Sequence, residues 1–273
     1  MEKNKCFIYK NDLKFNDDID ITLTEFDSDN TKNIYIEYKN TPKIELRIKD
    51  SEIENYEYLD LSNLGIDDEL LVKLCQLKKI NNILNKVKFL DLSFNSLKKN
   101  PNLSIYSNIV YLNISNNEIE GNIIDNNLVE LTCENNRINR IESNSLLRLS
   151  GSNNKIEYLN TPKIKMLIVN NNKLVEISSY NNLEYLECIN NRLNNVDNLE
   201  NVEELYISDN NISNLNSYPK LLILNCTNNP INKIKYFEKL KMLLCSTASI
   251  SSRYNITNIS KVKQDYLINF SNK

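Results

Sequence analysis

The chain has 273 residues, 41% of them hydrophobic, with 33 Lys and Arg against 36 Asp and Glu, a formal charge of −3 and no histidine. That balance lacks the clustered positive excess that nucleic acid or an anionic membrane surface demands. Without histidine, neither a Ser-His-Asp nor a Cys-His nucleophile can be assembled.

The opening MEKNKCFIYKND has no apolar h-region, and no later apolar run approaches the roughly 20 residues that span a bilayer, so a soluble, cytoplasmic chain is expected. Short alternating runs follow: CFIY at 6, IDITL at 19, NIYIEY at 33 and KIELRI at 43. The last two flank KNTP, whose Pro42 suits a turn, and read as a β-hairpin. Residues 1–55 are expected to form a β-rich N-terminal cap, with a separate recruiting element as the alternative.

From residue 56 one eleven-residue phrase recurs: YEYLDLSNLGI at 56, VKFLDLSFNSL at 87, IVYLNISNNEI at 109, LVELTCENNRI at 128 and LLRLSGSNNKI at 146. It continues as IKMLIVNNNKL at 164, LEYLECINNRL at 183, VEELYISDNNI at 202, LLILNCTNNPI at 221 and LKMLLCSTASI at 240. Apolar residues at positions 4 and 6 point one way while positions 3, 5 and 7 point the other, which makes a short strand with one buried face. Such a unit is too small to bury its own apolar side, so copies must stack. The Asn at position 9 falls where the chain leaves the strand, and its amide can satisfy backbone groups the strand no longer pairs. The series is Asn95, Asn117, Asn136, Asn154, Asn172, Asn191, Asn210 and Asn229.

Between the first two phrases, DDELLVKLCQLKKINNILNK places Leu70, Leu74, Leu77 and Leu84 at helical spacing behind acidic residues, predicting an amphipathic helix from near Asp67. Later repeats are only 18 or 19 residues long and leave no room for one. They add an apolar residue at position 14 instead: Ile141, Leu159, Ile177, Val196, Leu215 and Ile234. In the tail, Ile259, Val262, Tyr266 and Phe270 have near-helical spacing and predict a C-terminal helical cap over 251–273.

The phrase L-x-x-L-x-L-x-x-N-x-L resembles the leucine-rich repeat. The resemblance implies an α/β leucine-rich repeat solenoid over 56–250, about ten repeats, with a curved parallel sheet on its concave face. The convex side would be mostly non-helical, with one helix-backed repeat near the N-terminus. The Asn-, Ile-, Lys- and Tyr-rich composition is similar in style to repeat proteins of large DNA viruses of protists or of AT-rich protists, which in the viral case implies the host cytoplasm.

Chemistry is scarce. Cys133, Cys188, Cys226 and Cys245 occupy position 6, an inward site where cysteine acts as a small hydrophobe. Glycine-rich phosphate loops are missing. No catalytic residue, metal or cofactor is expected. The informative column is the outward one. Position 3 reads Tyr58, Phe89, Tyr111, Glu130, Arg148, Met166, Tyr185, Glu204, Ile223 and Met242; positions 5 and 7 add Ile168, Glu187, Tyr206, Leu244 and Ile189. A face that met only water would be polar, whereas aromatic, Met and Ile side chains are what interface cores use. The expected function is non-catalytic binding of a protein partner on the concave sheet, with Glu187 and Glu204 bordering an apolar strip. The alternative is a structural, self-associating component of a larger assembly. An enzyme is the least supported reading.

Overall fold

The computed structural model describes backbone and side chains over residues 58–76, 80–177, 180–234 and 236–246. It describes backbone alone over 5–10, 20–24, 31–37, 44–49, 78–79, 249–250, 258–262 and 265–269. The chain is a solenoid of mostly parallel strands like those of leucine-rich repeats, with one helical region near the N-terminus. It divides into two compact units, Met1–Glu120 and Gly121–Lys273.

In the first unit, β1 (Lys5–Lys10), β2 (Asp20–Thr24), β3 (Thr31–Glu37) and β4 (Ile44–Lys49) form an antiparallel set in the order β2-β3-β4-β1. Strands β3 and β4 pair as a hairpin would, Ile36 opposite Ile44; the KNTP turn with Pro42 lies outside the described residues. Strand β1 then pairs in parallel with β5 (Tyr58–Asp60), where the repeats begin. The helical stretch folds as α1 (Asp68–Gln76) and α2 (Lys78–Leu84). The Asp67 carboxylate accepts the backbone N–H of Leu70 at 2.8 Å, an N-cap that sets the start. Leu70, Leu71 and Leu74 of α1 and Ile80, Ile83 and Leu84 of α2 are buried, as the spacing requires; Leu77 lies outside the described residues. Strands β6 (Phe89–Asp91) and β7 (Tyr111–Asn113) continue the parallel ladder from β5.

The second unit takes up at β8 (Glu120–Ile124) and carries β9 (Glu130–Thr132), β10 (Arg137–Glu142), β11 (Arg148–Ser150), β12 (Tyr158–Asn160) and β13 (Met166–Ile168). It continues with β14 (Tyr185–Glu187), β15 (Glu204–Tyr206), β16 (Ile223–Asn225), β17 (Lys233–Ile234), β18 (Met242–Cys245) and β19 (Ser249–Ile250). Strands β9, β11, β13, β14, β15, β16 and β18 form its parallel ladder, each in register with the next. Phrase positions 4 and 6 are buried in every described repeat of this unit, and the position-14 column from Ile141 to Ile234 forms a second buried row. The four position-6 cysteines lie in the core, and burial pushes the Cys133, Cys188 and Cys226 thiols well above the ordinary range.

Behind the sheet, β8, β10 and β12 form a three-stranded row over the earlier repeats of the second unit, and turns take over later. The 18-residue steps place Ser143 and Thr161 three residues before the phrase and run as the paired strands β10 and β12. The 19-residue steps after Asn172 place Tyr180, Leu199 and Tyr218 there, all buried, and close a tight turn in which the N–H three residues on bonds back to their carbonyl. Phe237 repeats the arrangement.

Within the span 251–273, where a helical cap is expected, the described residues are strand and not helix. Strands β20 (Asn258–Val262) and β21 (Asp265–Asn269) make an antiparallel hairpin, and β21 pairs antiparallel with β18. The segment is rich in β-branched and aromatic residues. Beyond that, the last parallel strand presents unpaired N–H and C=O groups that a strand can satisfy and a helix, whose bonds are internal, cannot. The Phe270 position lies outside the described residues.

The amide at position 9 bonds backbone groups at the turns between repeats. The Asn172 Nδ2 donates to the carbonyls of Gly151 (2.9 Å), Val169 (3.1 Å) and Asn170 (3.0 Å), and its Oδ1 accepts the Ile156 N–H at 2.9 Å. Asn154, Asn210 and Asn229 repeat this pattern, and Asn191 does so with two carbonyls. In the first unit Asn95 also serves the repeat that lacks its own amide, accepting from both Leu64 and Ile66 N–H.

Position 8 has a role the sequence reading did not assign. Asn116, Asn135, Asn153, Asn171, Asn190, Asp209 and Asn228 all sit at φ between 53° and 58°, the left-handed region that Asn tolerates best after glycine. Exposed amides there form a second ladder: Asn153 donates to Asn135, Asn171 to Asn153 and Asn190 to Asn171. Phe94 occupies this position at φ 55° with 60% of its surface exposed. A bulky side chain is strained there, and its ring gains little from burial. Phe94→Asn is therefore expected to raise stability by about 1 kcal/mol, read as an upward shift of the urea midpoint; a downward shift would show that the ring is a packing element.

Candidate functional site

On the second unit, the outward face of the ladder changes character between β11 and β13. Across β9 and β11 it is polar and internally matched: Arg148 bridges Glu130 at 3.0 Å, and Ser150 donates to Glu134. From β13 onward most of the same positions are apolar or aromatic, interrupted by Glu187, Glu204 and Asn225. In-register pairing produces two rows. One runs Met166, Tyr185, Glu204, Ile223, Met242; the other runs Ile168, Glu187, Tyr206, Asn225, Leu244. All ten side chains are half-buried, as is Ile189 in the next outward column.

The register corrects one expectation. Glu187 and Glu204 do not border the strip; Glu187 stands between Ile168 and Tyr206, and Glu204 between Tyr185 and Ile223. Together with Tyr185 and Tyr206 they make a two-by-two alternation at the centre of the face. The Tyr185 hydroxyl donates to Glu187 Oε2 at 2.9 Å, the Tyr206 hydroxyl donates to Glu204 Oε2 at 2.9 Å, and the rings lie 5.6 Å apart at 42°. Burial and then the carboxylate it bonds push the Tyr206 hydroxyl up to about 12, and the same causes raise Tyr185. Both hydroxyls therefore stay protonated and remain donors at any physiological pH. Asn170, which the sequence reading passed over, donates from Nδ2 to Glu187 Oε1 at 2.6 Å and accepts the Ile189 N–H at 2.8 Å. It fixes the carboxylate from the second side.

Tyr58, Phe89 and Tyr111 lie on the first unit, one per strand of β5, β6 and β7. Phe89 and Tyr111 stack at 4.1 Å and 8°, and Tyr58 lies 6.4 Å from Phe89 at 36°. Tyr58 and Asn113 both donate to Asp91. Because Phe89 and Tyr111 cover each other's faces, they present edges rather than a stacking platform.

The first unit also holds a cavity of about 520 Å³ between α1 and residues 99–106, walled by Leu71, Val72, Cys75, Leu103, Ile105 and Tyr106. Burial raises the Cys75 thiol above its usual range, the opposite of what a nucleophile requires. Among the described residues no group of three or more His, Cys, Asp or Glu could hold a metal ion, and no helix is long and apolar enough to cross a membrane.

No protein-family profile matches the chain, and no curated protein is significantly similar to it. Among solved structures it is similar to YopM from Yersinia enterocolitica WA-314, at 25% identity and a TM-score of 0.47 over 61% of this chain and 43% of that one. It is also similar to the leucine-rich repeat domain of APL1B, at 16% identity and a TM-score of 0.49 over 76% of this chain and 82% of that one. The chain thus spans less than half of the YopM structure.

Proposed function

We propose that this chain is a non-catalytic interaction module that binds a protein partner across the outward face of β13 to β16 and β18. The observation that carries the reading is the contrast along one ladder. Polar, mutually neutralised side chains on β9 and β11 give way to Met166, Ile168, Tyr185, Ile189, Tyr206, Ile223, Met242 and Leu244 on five adjacent strands. Apolar and aromatic surface spread over adjacent strands in this way is what a partner buries. Tyr58, Phe89 and Tyr111 supply a smaller aromatic row on the first unit and are proposed as secondary contacts.

The test compares Tyr185→Ala combined with Tyr206→Ala against Lys173→Ala, a position whose side chain pairs with Glu157 away from this face. Tyrosines at the centre of an interface are truncation-sensitive, so the double variant is expected to lose a captured partner by about a hundredfold in affinity while the control keeps it. Far-UV circular dichroism confirms folding of each. Retention of the partner by the double variant would overturn the reading.

A further inference from the structure

Glu187 and Glu204 are the only charged groups in the two rows, and among the described residues neither meets a lysine or arginine within ion-pair distance. The neighbouring Lys165 is turned to Glu184, at 3.2 Å. Elsewhere on the same face the chain neutralises its own carboxylate, Glu130 against Arg148. At the centre it orients the carboxylates instead, through tyrosine hydroxyls and Asn170, and leaves their charge uncompensated.

A partner that covered this surface with apolar side chains alone would strip water from two carboxylates and give nothing back. A second copy laid face to face would bring two more carboxylates and no cation from these rows. What offsets the desolvation is a cation between them. A guanidinium suits the geometry best, since it is planar, donates in several in-plane directions and stacks on an aromatic ring; here two tyrosine rings lie 5.6 Å apart, each hydrogen-bonded to one carboxylate. The carboxylates are already held in place, so little ordering is required on binding.

Resting on the reading of this face as the binding surface, we infer that the partner inserts an arginine, flanked by apolar residues, between Glu187, Glu204, Tyr185 and Tyr206.

The experiment pans a random dodecapeptide library on the immobilised full-length chain and measures the enriched peptides against three proteins: the parent, Glu187→Gln with Glu204→Gln, and Tyr185→Ala with Tyr206→Ala. The glutamines keep side-chain volume and can still accept the tyrosine hydroxyls, and unchanged urea midpoints confirm the folds. The inference expects enriched peptides with arginine beside apolar residues, affinity that falls with added salt, and a loss of about tenfold or more on the glutamine variant. Peptides that carry no cation, bind the glutamine variant undiminished and are lost only on the alanine variant would overturn the arginine anchor and leave the binding face standing. No enrichment, or peptides indifferent to both variants, would overturn the face and the anchor together. Self-association of the parent in light scattering that the alanine variant abolishes would keep the face as an interface, assign it to a second copy and overturn the arginine anchor.

Discussion

Tyr218→Ala is expected to lower the unfolding free energy by about 3 to 5 kcal/mol, the range for deleting a large buried aromatic ring. Tyr218 is 2% exposed, stacks on Phe237 at 5.7 Å and 17°, and donates its hydroxyl to the Val196 carbonyl at 2.6 Å. It joins three successive repeats behind the sheet: its own, the one holding Val196 and the one holding Phe237. Tyr218→Phe keeps the ring and removes only the hydrogen bond, so its expected cost is about 1 kcal/mol. Urea unfolding of the two variants separates the contributions. Equal losses would place the whole effect in the hydroxyl, and a negligible loss for Ala would remove the ring from the core.

Asn172→Ala is expected to cost about 3 kcal/mol, the upper part of the range for leaving buried backbone groups unsatisfied. Its side chain, 8% exposed, is the donor to three carbonyls and the acceptor for one N–H, and alanine supplies neither. The neighbouring Asn171 separates this effect from backbone strain. At φ 53° alanine is disfavoured by about 1 kcal/mol, whereas glycine is at ease. Asn171→Ala is thus expected to cost about 1 kcal/mol and Asn171→Gly less, losing only exposed amide contacts to Asn153 and Asn190. A loss for Asn171→Gly as large as that for Asn172→Ala would mean that the exposed ladder, not the buried one, holds the turns together.

The array was legible because its information is periodic. Positions 4, 6, 9 and 14 recur often enough that single departures, such as Leu64 in an asparagine place, do not hide the frame. Asp67 and the leucine spacing marked the helical region for the same reason. The C-terminal hairpin was not legible: four apolar residues at steps of three and four fit a helix, and what decides against it is the open edge of β18, a tertiary fact. The site was half legible. Its outward columns follow from strand alternation, yet placing Glu187 between Ile168 and Tyr206 needs the register between repeats. The strain at Phe94 was hidden as well, because position 8 reads as ordinary turn polarity until its φ is known.

The buried amides act backwards along the chain. Asn172 closes the turn of the repeat that begins at Leu146, Asn191 that of Ile164, Asn210 that of Leu183 and Asn229 that of Val202. During synthesis a repeat leaving the ribosome therefore cannot finish its own turn; it waits until the asparagine some 16 to 22 residues downstream has also emerged. Growth of the structure trails growth of the polypeptide by one repeat. A stop codon placed between repeats consequently leaves an unfinished turn at the new C-terminus, whereas deletion from the N-terminal side of the array exposes apolar surface but strands no amide-dependent turn. The sequence places Ala248 where the next such asparagine would stand, so the repeat at Leu221 receives no amide from its successor.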